Sequence, residues 1–311
     1  MNFTLILFIL ILSTFFHYVV NKIFLQKLLF DDVNHRSSHK TLATRTGGIG
    51  VFLTLLTICL FFYFQKIDLF DYSLFIPIGI MFFLGLYDDL YQVNFKLKFF
   101  LQIIVAKILI DQGYVISDFN GFLGFYEVPW LVAQFTTVFV FLVIVNSINF
   151  IDGIDGLAIT EVMKSIIIIE YFSESKLMIS PLGFMVIFSL IPLYYFNFKK
   201  KGKIFLGDCG SLLLGTIIVI YIIYVLSPNY IFNSQFEFNK VVFAVLVIIY
   251  PLFDLLRVFT LRIINGRSPF IADQNHVHHF FFKKTNSHFK TLFIISFLST
   301  LIFVVVFLIT K

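Results

Sequence analysis

The chain has 311 residues and a formal net charge of +5, with 59% apolar residues and 13% charged ones. Soluble domains carry roughly 25% charged residues and need a polar surface, so this composition, with 45 phenylalanines, excludes a soluble fold and points to a bilayer. Two cysteines, Cys59 and Cys209, supply neither a disulfide framework nor a cysteine-rich metal cluster.

A helix needs roughly 20 mainly apolar residues to cross about 30 Å of hydrocarbon. Ten segments fit that pattern: 3–21, 48–65, 74–88, 97–113, 129–148, 156–172, 177–196, 210–227, 241–261 and 291–310. They predict an all-α, polytopic membrane protein forming one transmembrane domain over 1–311, with loops near 22–47, 88–96, 149–156, 197–209 and 262–290. The first segment lacks a basic leader and a small-residue cleavage site, which predicts a retained helix.

After the first segment come Arg36-Ser-Ser-His39-Lys40 and Arg45-Thr-Gly47-Gly48. Juxtamembrane basic residues ordinarily set topology and meet anionic lipid. The double glycine opening a helix adds Arg36, His39 and Arg45 as candidate phosphate contacts. The third segment is short and ends in Asp88-Asp89, with Lys96 and Lys98 close behind. Adjacent carboxylates at a membrane boundary repel one another, and they make sense beside a cation or basic groups. Residues 118–129, with Gly121, Gly124 and Pro129, read as a loop at the interface.

The fifth segment runs into Asn146-Ser-Ile-Asn149-Phe-Ile-Asp152-Gly-Ile-Asp155-Gly156. The three-residue spacing puts Asn146, Asn149 and Asp152 on one face if the helix continues, with Asp155 joining the stripe. Such oxygen donors suit Mg²⁺ or nucleotide hydroxyls; the plainer alternative is a polar interhelical loop. His17, Lys107, Glu161 and Lys164 carry no pattern and read as packing or snorkelling residues. The eighth segment opens on Gly207-Asp208-Cys-Gly210-Ser. There a helix N-terminus offers amides and a positive dipole end to phosphate, or Asp208 simply caps the helix.

The last polar stretch holds Arg257, Arg262, Arg267 and then His276-Val-His278-His279. Arginine forks clamp phosphate oxygens. The histidines invite a zinc reading, but neither a Cys nor a carboxylate set evidently completes a tetrahedral site, so phosphate contact is the stronger expectation.

With the N-terminus outside, inner loops and helix ends hold seventeen of the 23 Lys and Arg residues and the outer side four. That asymmetry predicts an inside face bearing every polar motif. A transporter would place its ionisable groups near mid-bilayer in repeated halves, and a purely structural protein would need no such concentration of motifs.

In order, Asp88-Asp89, Asn146-x-x-Asn149-x-x-Asp152-Gly-x-Asp155-Gly-Leu, Phe205-Leu-Gly-Asp208-x-Gly-Ser and His276-x-His-His resemble the signatures of the polyprenyl-phosphate N-acetylhexosamine-1-phosphate transferases, within glycosyl transferase family 4. Arg36-Ser-Ser-His39 resembles the members that begin O-antigen or other surface polysaccharides. The resemblance implies a bacterial cytoplasmic-membrane enzyme that moves HexNAc-1-phosphate from a UDP-N-acetylhexosamine to undecaprenyl phosphate, releases UMP, and uses Mg²⁺ or alternatively Mn²⁺. It implies Asn149 and Asp208 as metal ligands and Asp88 and Asp89, with Lys96, as the groups handling the lipid phosphate. Asp155 and Gly156 would meet uridine, Asn146 and Asp152 would line the donor site, and Arg257, Arg267, His276, His278 and His279 would hold diphosphate and sugar. Membrane lipid is the expected surrounding, nucleic acid is not an expected partner, and a homodimer is compatible with related enzymes. A Mg-dependent membrane phosphatase acting on lipid-linked or nucleotide-sugar substrates is the nearest rival.

Overall fold

The computed structural model describes residues 3–29, 43–236, 238–268 and 275–310. Arg36 and His39 lie outside them. In chain order the elements are α1 (Phe3–Gln26), β1 (Ala43–Thr44), α2 (Gly47–Phe64), α3 (Phe75–Tyr91), α4 (Phe95–Asp111), β2 (Asp118–Phe122), β3 (Phe125–Glu127), α5 (Trp130–Phe150) and α6 (Leu157–Phe172). There follow α7 (Ser180–Asn197), β4 (Lys203–Ile204), α8 (Gly207–Leu226), α9 (Lys240–Val247), α10 (Ile249–Ile264), α11 (Val277–Thr285) and α12 (His288–Thr310).

Each of the ten predicted segments falls on helix, so the polytopic all-α expectation stands, but the count of ten spans does not carry over. Among the described residues seven helices are long and apolar enough to cross a membrane, or eight if the bent pair α9–α10 counts as one span. Helices α4 and α6, at 17 and 16 residues, reach only about 25 Å at 1.5 Å per residue, whereas α3 continues a 3-10 turn at Tyr72–Leu74 and makes a span of 20 residues with it. Helices α4 and α6 also carry Lys96, Lys98, Lys107 and Asp111, or Glu161, Lys164 and Glu170. The ninth segment breaks between Val247 and Ile249 with a 78° bend.

The chain divides into two compact units, residues 1–93 with 178–214, and 94–177 with 215–311. In the first, α1 packs on α2 and α7. Its buried residues Ile9, Ser13, His17, Val20 and Asn21 recur on one helical face, and Ser13 Oγ donates to the Ser189 carbonyl at 2.7 Å. Most of the remaining α1 surface is exposed apolar side chain, as a lipid-facing helix requires. The two-residue strands β1 and β4 pair in parallel, and the pairing continues through Gly47 N–H to Phe205 O (2.9 Å) and Gly48 N–H to Leu206 O (2.8 Å). This zip lays Arg45 beside the segment that opens α8.

In the second unit α5 packs on α4 and α10, and α12 on α6, α9, α10 and α11. The 118–129 segment, expected to be a loop, is an antiparallel hairpin of β2 and β3. Gly121 and Gly124 there adopt positive φ, which glycine accommodates without steric cost.

Candidate active site

In the first unit the polar residues gather where α3 meets the opening of α8. Gly85 lets the two backbones touch, since a Cβ there would lie 2.3 Å from the Asp208 carbonyl oxygen and 2.5 Å from Cys209 Cα. Asp89 stands one turn further along the same face of α3. Its Oδ1 accepts the Asp208 N–H at 3.0 Å and its Oδ2 the Cys209 N–H at 2.9 Å. The helix end expected to offer amides to phosphate therefore already holds a carboxylate of the chain. Asp89, 119 residues from Asp208 in sequence, caps α8.

Arg45 Nη1 lies 3.6 Å from Asp89 Oδ1; the arginine side chain is 40% exposed and the aspartate 4%. Gly207, at φ +76°, occupies the left-handed region, and a Cβ there would meet Asp89 Oδ2 at 2.7 Å. Asp88 is oriented differently: its Oδ1 accepts the Val93 N–H at 2.7 Å, bracing the turn after α3, where Gln92 takes φ +56°. Both carboxylates and Asp208 are half-buried as residues. Paired aspartates thus divide the work, Asp89 anchoring backbone and Asp88 ending the helix beside it.

In the second unit α5 stops at Phe150, and Asp152 and Asp155 sit in the turn before α6 rather than on a continued helix. The single stripe expected from the three-residue spacing is therefore broken. Asn146 is buried, and its Nδ2 donates to Gln102 Oε1 (2.9 Å) and to the Leu142 carbonyl (2.7 Å), so it ties α5 to α4. Asn149 is half-buried in the last turn of α5. Asp155 is buried, its N–H donates to His288 Nδ1 at 3.1 Å, and its Oδ2 lies 3.4 Å from the same nitrogen. Gly156 takes φ +73° to start α6.

Three successive turns of α10 grip the histidine segment. Tyr250 Oη lies 3.4 Å from His278 Nδ1. Asp254 Oδ2 lies 2.7 Å from His276 Nδ1, and its Oδ1 accepts the Val277 N–H at 2.7 Å. Arg257 Nη1 donates to the Asn275 carbonyl at 2.6 Å. His276 and His278 stack with ring centres 5.3 Å apart, and Phe150 meets His276 edge-on at 5.6 Å. Gly153 fits against His278, because a Cβ there would lie 2.7 Å from Nε2. The aspartate turn and the histidine segment therefore form one cluster. Burial, and then the charges of His279 and His276, pull the His278 pKa well below its ordinary value. His279 is half-buried, whereas Lys96 and Arg267 are exposed.

Three of these residues were missed in the sequence: Asp254, Tyr250 and His288. Asp254 left a readable signal, an acidic residue in the middle of an apolar segment; His288 left none.

Metal chemistry can be tested against the donors present. Asp208 and Asn149 offer carboxylate and carboxamide oxygens at half-buried positions, the hard donor type that Mg²⁺ prefers. Asp254, His276 and His278 also bring ligand atoms within 4.8 Å of one another.

A sequence profile of glycosyl transferase family 4 matches residues 71–226. The chain is 30% identical over 268 residues to a protein of Bacillus subtilis (strain 168) described as a probable undecaprenyl-phosphate N-acetylglucosaminyl 1-phosphate transferase, covering 84% of this chain and 72% of the relative. It is 27% identical over 284 residues to the undecaprenyl-phosphate alpha-N-acetylglucosaminyl 1-phosphate transferase of Yersinia pestis, covering 89% and 75%. The protein of the same description from Escherichia coli (strain K12) is 27% identical over 289 residues, with 87% and 74% covered.

Proposed function

Because this chain belongs to glycosyl transferase family 4, we propose that it transfers an N-acetylhexosamine-1-phosphate from a UDP-sugar to undecaprenyl phosphate, releasing UMP, as the first membrane step of a surface glycan. The observation that carries the reading is the position of the family match. Residues 71–226 contain Asp88-Asp89, the Asn146–Gly156 motif and Asp208.

Phosphoryl transfer asks a protein mainly for positioning and charge neutralisation. A phosphate monoester has its second pKa near about 6, so the lipid phosphate is mostly dianionic at neutral pH. Attack on the donor diphosphate then needs little general-base help. Asp89 keeps the α8 opening in place, Asp88 orients the acceptor and takes any residual proton, and Arg45 supplies positive charge beside them. Asp155 and Gly156 face the nucleoside, while Arg257 and Arg267 take up donor charge, His276 and His279 contact the diphosphate and sugar, and the buried, neutral His278 packs behind them. Asp208 and Asn149 would hold Mg²⁺, which when bound polarises the diphosphate and stabilises leaving UMP. The N-terminus lies outside and the polar motifs face the cytoplasm, as the basic-residue asymmetry favours.

The test is UMP release by purified protein in detergent with undecaprenyl phosphate, Mg²⁺ and a panel of UDP-HexNAc donors. Lipid-dependent UMP from one donor, absent with EDTA and in Asp208→Ala, is the expected result. Free sugar-phosphate formed without lipid would replace the transferase by a phosphatase. A sugar-phosphate-labelled protein trapped without lipid would replace direct attack by a covalent aspartyl route.

A further inference from the structure

A carboxylate with no solvent exposure needs dedicated partners, and Asp254 is such a group, at 0%. One oxygen takes the Val277 amide and the other lies 2.7 Å from His276 Nδ1. A zinc ion bound by both would hold them about 2 Å from itself, and in a tetrahedron that sets ligand atoms more than 3 Å apart by geometry. The 2.7 Å separation is that of a charge-assisted hydrogen bond. The His276 ring is further held by Phe150 at its edge and His278 on its face.

We propose that Asp254 is a positioning residue: it holds the hydrogen of His276 on Nδ1, fixes the ring, and leaves Nε2 as the nitrogen that contacts the anionic donor substrate. The idea rests on the transferase reading for the identity of that substrate, though the pairing itself does not. A carboxylate on Nδ1–H sets tautomer and orientation in one contact, whichever protonation state the other nitrogen takes. The same aspartate caps α11 through Val277, so the segment carrying His276 and the ring itself are held by one side chain. Arg257, one turn on, fixes the carbonyl of Asn275 just before it.

Asp254→Asn separates positioning from plain structure. The Asn carbonyl oxygen still accepts the Val277 amide, but its NH₂ faces His276 Nδ1 and drives the hydrogen to Nε2. Nitrogen-15 spectra of the histidine side chains read the tautomer directly, with His276→Asn identifying the signal. The expected result is an Nδ1–H imidazole in the wild type that becomes Nε2–H in Asp254→Asn, at a similar melting temperature. Lipid-dependent UMP release by Asp254→Asn should fall about 10- to 100-fold, with a shifted pH profile. His276→Asn keeps a donor for Asp254 but has no Nε2; it should lose activity while staying folded, and adding Asp254→Asn to it should cost little more.

An unchanged tautomer in Asp254→Asn would overturn the proposal, as would losses that multiply in the double variant. Stoichiometric zinc retained by the wild type and lost in either variant would overturn it in favour of a metal site. A wild type that releases no UMP from any donor in the panel, but shows the Asp254-dependent tautomer, would instead remove the transferase reading and keep the pairing. If Asp254→Asn does not fold, the wild-type tautomer and His276→Asn decide by themselves.

Discussion

Asp89 holds Asp208 by its backbone: the amide of Asp208 donates to Asp89 Oδ1 at 3.0 Å, and the neighbouring amide of Cys209 satisfies Oδ2. Adjacent carboxylates that look equivalent in the sequence are therefore expected to behave differently. Asp89→Asn puts an NH₂ group against one of two amide donors, so it should lower both melting temperature and activity. Asp88→Asn leaves the α8 cap intact and keeps an oxygen for the Val93 N–H, so it should cost about 100-fold in kcat through lost orientation of the acceptor, with an unchanged melting temperature. Parallel thermal melts and UMP-release rates check this; equal effects on stability from both substitutions would sink the division of roles.

Gly85→Ala is expected to break the same corner from the other side. Its Cβ would meet backbone atoms of Asp208 and Cys209 at 2.3 and 2.5 Å, and backbone cannot rotate away. Overpacking of this kind costs about 1–3 kcal/mol and would carry the α8 opening off Asp89, so activity should fall with stability. Gly79 lies in the same helix, and a Cβ added there would meet nothing within 4 Å. There the alanine should be neutral or stabilise by about 0.5–1 kcal/mol through helix propensity. Melting temperatures of the two variants provide the comparison.

The legible part of this protein is what repeats along the chain or costs too much to bury without cause. Apolar runs located every long helix, and Asp88, Asp89, Asn149, Asp155 and the histidines stood out as polar residues in such surroundings. Pairings set by distance in space were not legible. Nothing near Asp89 announces the amides 119 residues away, and nothing near Arg45 announces the strand register that brings Ala43 opposite Lys203. The stripe from Asn146 to Asp155 failed because helix periodicity was extended past Phe150, into a turn that Gly153 and Gly156 make possible. Asn146 has the right spacing for a ligand, yet Gln102 claims it.

Glu161 and Lys164, read from sequence as packing or snorkelling residues, form a buried polar knot with α12. Lys164 Nζ lies 2.5 Å from Glu161 Oε2 and 2.6 Å from Ser299 Oγ, while Ser296 and Ser299 donate to Glu161 Oε1 at 3.2 and 3.3 Å. The side chains are only 15% and 1% exposed. Removing one partner leaves a buried charge uncompensated, so Lys164→Met should destabilise by about 3 kcal/mol or more. The double change Lys164→Met with Glu161→Gln removes both charges and should recover most of the loss. A double-mutant cycle on detergent unfolding measures the coupling; additive losses would mean the ion pair contributes nothing beyond its separate parts.

His278 gives the fold a pH dependence with a definite sign. Burial first, then His279 and His276, hold its pKa well below 6.5 in the folded chain. The groups facing it are the Tyr250 hydroxyl at 3.4 Å, Asp254 Oδ2 at 3.9 Å, and the rings of His276 and His279 at 5.3 and 4.3 Å. Unfolded, the imidazole takes up a proton near its ordinary value, whereas folded it does so only well below it. The unfolded state therefore binds more protons as pH drops through about 6.5, and stability present above that pH is lost as pH falls toward the folded value. His278→Gln removes this linkage while keeping a polar side chain. Melting temperatures of wild type and variant are compared from about pH 7.5 to about pH 5, and the wild type should fall more steeply on acidification. The absolute stability of the variant does not enter, since only the two slopes are compared. Parallel slopes would mean that His278 takes up its proton equally in both states, and burial would then not be what keeps it neutral.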